Sequence, residues 1–167
     1  IGLSLVGSEM CIRDRIGNIK CSNFNEKYIE KNLLRISDKS QYDKMTELID
    51  SVRKDGDSVG GVIEVRSIGV PAGLGSPVFE KIDAKLASAI MSIGGVRGFE
   101  IGTGFSIAEK RGSEVNAIIL SKKGGKTKFK TNNAGGILGG ITNGNTIVLR
   151  FALKPTSSIS KEQESIN

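Results

Sequence analysis

Residues 131–158 read TNNAGGILGGITNGNTIVLRFALKPTSS and join two strong signals. The first part, 131–144, holds five glycines in fourteen residues. Glycine costs backbone entropy wherever folding fixes it, so a dense cluster marks backbone that something approaches closely. The second part, 146–154, alternates apolar and polar side chains, which predicts a half-buried β-strand. In that strand one face carries Ile147, Leu149, Phe151 and Leu153.

Two helices are predicted upstream of this stretch. The first begins within residues 38–40 and ends at Gly56, because its apolar residues recur at helical spacing. The second begins at Ser76 as N-cap with Pro77 in its first turn, and the glycines at 94 and 95 end it. The apolar positions of the first helix are Tyr42, Met45, Leu48, Ile49 and Val52; those of the second are Phe79, Ile82, Leu86 and Ile90.

Four further segments have the composition of β-strands: 62–68, 96–102, 115–121 and 126–131. The sequence KKGGK at 122–126 has the turn chemistry of a hairpin between the last two. Several strands interrupted by two helices predict an α+β domain with much antiparallel sheet.

Composition limits the functions open to the chain. At 167 residues, with 38% hydrophobic and 25% charged residues, it is long enough for one globular domain. It has no histidine or tryptophan and only two cysteines, so a metal site of the usual His/Cys type is not expected. Few aromatics argue against a base-stacking surface. The net charge of +6 fits either a lysine-rich soluble surface or an anion-binding site.

The segment KPTSS, residues 154–158, has the groups that hold a phosphate. Lys154 supplies a positive charge at a strand end, and Pro155 favours a turn. Three hydroxyl residues then offer side-chain and backbone donors: Thr156, Ser157 and Ser158. The alternative is a solvated strand end followed by a polar turn. One strand separates this segment from the glycines, placing them roughly 25 Å apart along its axis. The residues alone therefore predict at most an elongated anionic ligand.

Six blocks, taken together and in order, resemble the chorismate synthase family. They are GDSVGGVIEV (56–65), VPAGLGSPVFEKIDAKLASAIMSI (70–93), GVRGFEIGTGF (95–105), RGSE (111–114), NNAGGILGGITNG (132–144) and LKPTSSI (153–159). The resemblance covers nearly everything from Cys21 to Ile159. It implies a β-α-β sandwich with antiparallel sheets, present here as a partial domain.

The resemblance also implies a function. Family members are carbon–oxygen lyases that eliminate phosphate from 5-enolpyruvylshikimate 3-phosphate in an anti-1,4 sense. The product, chorismate, serves aromatic amino acid biosynthesis through the shikimate pathway. They need reduced FMN, are homotetramers, and are cytosolic or plastidial; a cytoplasmic location, with no nucleic acid or membrane partner, is expected here. Flavin contacts in the family match Gly94, Gly95, Gly139, Lys154, Pro155, Thr156, Ser157 and Ser158.

Some family features are missing from this chain. The acid–base histidines and the RHD-type motif of the family lie outside it, so no catalytic residue is assigned and the fragment is expected to be inactive. Arg111 and Asp57 are interpreted as structural.

The predicted domain boundaries follow from the resemblance and from the ends of the chain. Residues 1–16 are interpreted as a non-native segment translated from sequencing-adapter DNA, 17–160 as the partial domain and 161–167 as a truncated polar tail. Alternatives are a non-catalytic basic module that binds RNA or an acidic partner, and a flavin-binding protein with another reaction.

Overall fold

The fold is built on a five-stranded antiparallel sheet, seen in a computed structural model that describes residues 10–23, 25–123 and 126–164. In chain order the strands are β1 (Met10–Ile16), β2 (Ile19–Lys20), β3 (Gly61–Ser67), β4 (Val96–Ile101), β5 (Ile119–Lys123), β6 (Lys126–Phe129), β7 (Ile137–Leu138), β8 (Ile141–Thr142) and β9 (Ile147–Leu153). The helices are α1 (Glu26–Ile29), α2 (Lys39–Lys54), α3 (Ile82–Met91) and α4 (Gly112–Val115), with a 3-10 helix at Gly104–Glu109.

The order of the large sheet is β2-β1-β3-β9-β4, so the last strand lies between two earlier ones. Two antiparallel pairs, β5–β6 and β7–β8, stand beside it. This arrangement of helices with antiparallel sheet confirms the predicted α+β class. None of the described helices has the length and apolar character needed to cross a membrane.

Strand β9 carries the main hydrophobic core on the face that its sequence predicts. Ile147, Leu149 and Phe151 are buried, whereas the alternate residues are half-buried on the opposite face. There, Arg150 forms an ion pair of 2.7 Å with Glu100 of β4. Helix α3 covers the buried face, with Ile82, Leu86 and Ile90 packed against the core. The alternation of the strand thus sets which side of the sheet receives the helix.

Helix α2 begins where its sequence predicts, at the N-cap Asp38. The Asp38 carboxylate accepts hydrogen bonds from the backbone N–H and hydroxyl of Ser40. Its other oxygen accepts from the Ser22 N–H, the Ser22 hydroxyl and the Asn23 N–H. A second, smaller core lies beside this carboxylate, built on Cys21, Ile36 and Met45. Asp38 therefore joins the start of the helix to the segment that follows β2.

Helix α3 begins later than predicted, because residues 76–80 form a turn. The Ser76 N–H donates to the Glu80 carbonyl, and Val78 has a φ of 74°, which a right-handed helix does not contain. Phe79, predicted on the apolar face, is consequently 91% exposed. The first helical N–H, from Ile82, donates to the carbonyl of Gly140 in the β7–β8 turn. The predicted end is correct, since Ser92 is the C-cap and two glycines follow.

Two other expectations differ from the structure. Residues 10–16, left out of the expected fold, form β1 and pair along their whole length with β3. The interpretation that they derive from adapter DNA concerns their origin and remains a prediction. The strand predicted at 115–121 begins only at Ile119, because Val115 completes α4. The glycines of the predicted KKGGK hairpin lie outside the described residues, although β5 and β6 pair antiparallel as expected.

Candidate functional site

A cleft of about 750 Å³ opens at the end of β9, where the strand passes into KPTSS. Six of the eight candidate residues line it: Gly94, Gly95, Lys154, Pro155, Thr156 and Ser157. They come from two segments 60 residues apart in the chain that β4 and β9 bring side by side. The Lys154 N–H donates to the Gly95 carbonyl at 2.8 Å, which fixes the junction between them.

The charge of the cleft is mainly positive. Lys154, Arg15 of β1 and Arg53 of α2 supply three cations to its lining. Asp57 is the single carboxylic acid among the lining residues that the structure describes. Its carboxylate is already engaged, because one oxygen accepts from the Ser58 N–H at 2.8 Å and the other pairs with Lys161 at 3.0 Å. The cleft thus retains positive charge for an anionic ligand.

The same contacts shift two pKa values. The Ser58 N–H and the Lys161 ammonium hold the pKa of Asp57 below its usual range. Reciprocally, the hydrogen bond and charge of Asp57 raise the pKa of Lys161. Both groups are therefore ionised near neutral pH. Asp57 in this state acts as a partner of Lys161, and its interpretation as structural stays a prediction.

Arg111 also makes a local structural contact, since its backbone N–H donates to the Glu114 carboxylate at the start of α4. This arrangement holds the first turn of that short helix.

The structure does not place Gly139 with the other candidates. It lies in the turn between β7 and β8, before the start of β9, whereas the cleft lies beyond the end of that strand. A methyl group built on Gly139 meets no atom within 4 Å, so its backbone is open to a ligand, but it does not line this cleft. Ser158, exposed and directly after Ser157, is not among the lining residues either.

Most of the glycine-rich segment is accounted for by the chain's own backbone. A Cβ on Gly135 would lie 2.5 Å from the Gly102 nitrogen and 2.7 Å from the Val148 carbonyl oxygen. A Cβ on Gly140 would lie 2.5 Å from the Lys81 side chain. Because Gly135 lacks a side chain, its backbone packs directly against the backbone of Gly102 and Val148. Gly140 in the same way packs against the Lys81 side chain.

Five residues of the cleft that sequence reasoning did not assign to it lie in GDSVGG, 56–61. Ser58, Gly60 and Gly61 line it together with Asp57. A Cβ on Gly60 would lie 2.5 Å from the Leu153 carbonyl oxygen, so only glycine lets β3 approach the end of β9 here. The paired glycines were a usable signal of this approach. Arg15 and Arg53 carried no such signal in the sequence, because only the tertiary fold brings β1 and α2 to the cleft.

The arrangement is suited to binding rather than to proton transfer. Positive side chains, three hydroxyl residues and exposed turn backbone surround a cleft of the size that holds small-molecule ligands. A phosphorylated, elongated ligand fits this set of donors.

Comparison with known proteins identifies a family. A profile of the family described as chorismate synthase matches residues 4–167. A chorismate synthase of Methanosarcina mazei is 46% identical over 170 residues, covering 99% of this chain and 45% of that protein. One of Archaeoglobus fulgidus is 54% identical over 138 residues, covering 83% of this chain and 38% of that protein. The chain thus spans about half the length of the curated relatives it matches, or less.

A solved structure agrees with the sequence relatives. A crystal structure of chorismate synthase superposes with a TM-score of 0.84 at 35% identity, covering 92% of this chain and 51% of that one. Since the family profile extends over nearly all residues and the fold agrees, the chain belongs to the chorismate synthase family.

Proposed function

We propose that the complete protein is a chorismate synthase, a lyase that eliminates phosphate from 5-enolpyruvylshikimate 3-phosphate to give chorismate with reduced FMN. The observation that supports this most directly is that Gly94, Gly95 and residues 154–157 line the same cationic cleft. These are the positions that the family resemblance assigns to the flavin. The volume of the cleft, about 750 Å³, is sufficient for a flavin mononucleotide.

Each part of the cleft has a defined task in binding. Lys154 supplies charge for the phosphate end of FMN, and Thr156 and Ser157 supply hydroxyl and backbone donors. The side-chain-free edge at Gly94, where an added Cβ meets nothing within 4 Å, leaves space for a flat ring system. When bound, reduced FMN would supply an electron transiently for the loss of the substrate's phosphate. The residues described here bind and orient; the proton-transferring groups are assigned to the remainder of the protein.

Gly139 enters this proposal as a separate contact. Its open backbone contacts a part of the ligand that extends beyond the cleft. This contact forms when the remaining half of the protein is present. The complete protein works as a homotetramer in the cytoplasm, on a small-molecule substrate and not on nucleic acid or a membrane.

The test uses the complete protein purified under anaerobic conditions. With dithionite-reduced FMN and 5-enolpyruvylshikimate 3-phosphate, we expect chorismate to form, followed by its ultraviolet absorbance, and phosphate to be released in equal amount. FMN titration of the same protein should show saturable binding. Binding of RNA without binding of FMN would favour the alternative of a basic binding module. Binding of FMN without turnover would favour a flavin-binding protein with another reaction.

A further inference from the structure

The segment that follows β9 has no regular secondary structure between residues 154 and 164, and three consecutive residues, 56–58, hold it in place. The Ser58 hydroxyl donates to the Thr156 carbonyl at 2.6 Å, across 98 positions of the chain. The Ser160 N–H donates to the Gly56 carbonyl at 2.9 Å. Asp57 pairs with Lys161 at 3.0 Å. Residues 56–58 therefore contact the segment at its beginning and at its end.

These three residues are themselves anchored to α2. The Gly56 N–H donates to the Arg53 carbonyl, and the Asp57 N–H donates to the Val52 carbonyl at 3.0 Å. The Ser58 N–H is held by the Asp57 carboxylate. A continuous set of hydrogen bonds thus runs from the end of α2 to Thr156.

Thr156 is the point at which this set meets the cleft. Its carbonyl oxygen accepts from Ser58, so the peptide group between Thr156 and Ser157 is held in one orientation. That peptide contains the Ser157 N–H, one of the donors in the hydroxyl turn. Gly60 restricts the same region from the other side, since any side chain there would meet Leu153 and Pro155. The position of the turn is thus set by residues that sequence reasoning left without a role.

We propose that Ser58 is a positioning residue for the anion-binding turn, and that it acts with the Asp57–Lys161 pair to hold residues 156–160 in the binding conformation. This inference rests on the proposed function, because the ligand of the turn is taken to be FMN. Ser58 acts through the Thr156 peptide. Preorganisation of this kind lowers the entropic cost that binding otherwise carries.

The first test compares Ser58→Ala with Ser58→Thr in the complete protein. Loss of one hydrogen bond should raise the FMN dissociation constant roughly tenfold in Ser58→Ala, and Ser58→Thr should restore it because the hydroxyl is retained. Ser113→Ala, an exposed serine of α4 that does not line the cleft, is the matched control and should bind FMN as the wild type does. The urea midpoint should stay unchanged in Ser58→Thr and Ser113→Ala, and it should fall only slightly in Ser58→Ala because the lost hydrogen bond is exposed.

Amide hydrogen exchange measured without flavin separates positioning of the turn from a direct contact between Ser58 and the ligand, because a direct contact would not affect exchange in the free protein. In Ser58→Ala, exchange of the amides in 156–160 should become faster, with the amides of β9 unaffected. Unchanged exchange there would overturn the inference. Wild-type protein that binds no FMN would overturn the proposed function, whereas wild type and Ser58→Ala binding equally tightly would overturn this inference alone.

The ion pair gives a second test that does not depend on Ser58 variants folding. Asp57→Asn adds one unit of positive charge near the cleft, and Lys161→Ala removes one. Electrostatics alone predicts tighter FMN binding for the first and weaker binding for the second. Positioning predicts that both weaken binding, by about two- to fivefold, because both break the same contact. A tighter Asp57→Asn variant would contradict the proposal.

Discussion

At the scale of single residues, the glycines of residues 131–144 are of two kinds. Some are required because backbone packs against them, whereas Gly139 has open space around it. Gly135 and Gly139 lie four positions apart and both have positive φ, 61° and 59°. A side chain at Gly135 would collide with backbone of Gly102 and Val148, whereas one at Gly139 meets no atom within 4 Å. The pattern of glycines does not distinguish these cases, because both obey the same backbone preference. Only the tertiary structure does.

Substitution by alanine should separate them. Gly135→Ala combines left-handed strain with a backbone collision, and we expect the free energy of unfolding to fall by about 2–5 kcal/mol. Gly139→Ala carries only the strain, about 1–2 kcal/mol. Urea denaturation of both variants measures the difference; equal losses would contradict it. In the complete protein, Gly139→Val should also weaken FMN binding if the flavin reaches this turn, and unchanged affinity would exclude Gly139 from the site.

Lys154 is one of the three cations that line the cleft, and it lies directly before the hydroxyl residues of the turn. Lys154→Ala in the complete protein should raise the FMN dissociation constant roughly tenfold, because a charge-assisted hydrogen bond to phosphate is lost. Lys154→Arg keeps the charge and should recover part of the affinity. Lys44→Ala, an exposed lysine of α2 outside the cleft lining, serves as control. Equal affinity for Lys154→Ala and wild type in a flavin titration would argue against the assignment.

At the scale of elements, the start of α2 was predicted and the start of α3 was not. Both predictions relied on a capping residue followed by apolar periodicity. Asp38 is a true cap, since its carboxylate accepts from Ser40. Ser76 instead begins a turn that reaches Glu80, and the helix takes its first acceptor from Gly140, 58 residues away from Ile82. A sequence window around Ser76 cannot reveal such a distant partner.

The sequence predicted much of the remaining framework for a physical reason. β9 and α2 carry strong periodic patterns, and a buried face enforces such patterns. β1 was missed because residues 1–16 were set aside as a segment that resembles translated sequencing-adapter DNA. The lining of the candidate cleft was predicted where one short segment carries several donors, as in residues 154–157. It was missed where separate elements contribute single residues, as with Arg15, Arg53 and Ser58.

Asp38 offers a test of the contact between α2 and the segment after β2. The carboxylate is almost fully buried and satisfies five donor groups, so Asp38→Ala should lower the free energy of unfolding by about 2–4 kcal/mol. Asp38→Asn keeps a cap but loses charge and should cost less. Urea midpoints measure both variants. Asp43→Ala, at an exposed position of the same helix, is the control and should be nearly neutral.

The same residue predicts a dependence on pH. Burial alone would raise the pKa of Asp38, but hydrogen bonds from Ser40, Asn23 and Ser22 outweigh it and hold the pKa well below its usual 3.8. A folded pKa below the unfolded one stabilises the fold above about pH 4, and this stabilisation is lost as the pH falls below that value. The stability gap between wild type and Asp38→Asn should therefore shrink as the pH falls from about 4 toward the lowered pKa of Asp38. A constant gap would contradict the assignment.

At the scale of the whole molecule, the part of the chain that the structure describes exposes several large apolar side chains. Leu33, Phe79 and Phe105 are each at least 80% exposed, and the chain spans about half the length of the relatives it matches. Large exposed apolar groups commonly mark contact surfaces.

The isolated chain should accordingly differ from the complete protein. We expect it to bind a hydrophobic fluorescent dye strongly and to give no chorismate, because it contains no histidine for acid–base chemistry. Phe79→Ser together with Phe105→Ser should reduce dye binding without lowering the urea midpoint, since neither side chain is buried. Turnover by the isolated chain would contradict this division of tasks.

The crossing of Gly102 and Gly135 has a consequence for how this protein can change over time. The backbone of each residue occupies the space that a side chain at the other would need, so a substitution at one position makes no room for a substitution at the other. A mutational library that randomises both sites together should return glycine at both, and this pair would make a stable landmark for aligning distant members of the lineage.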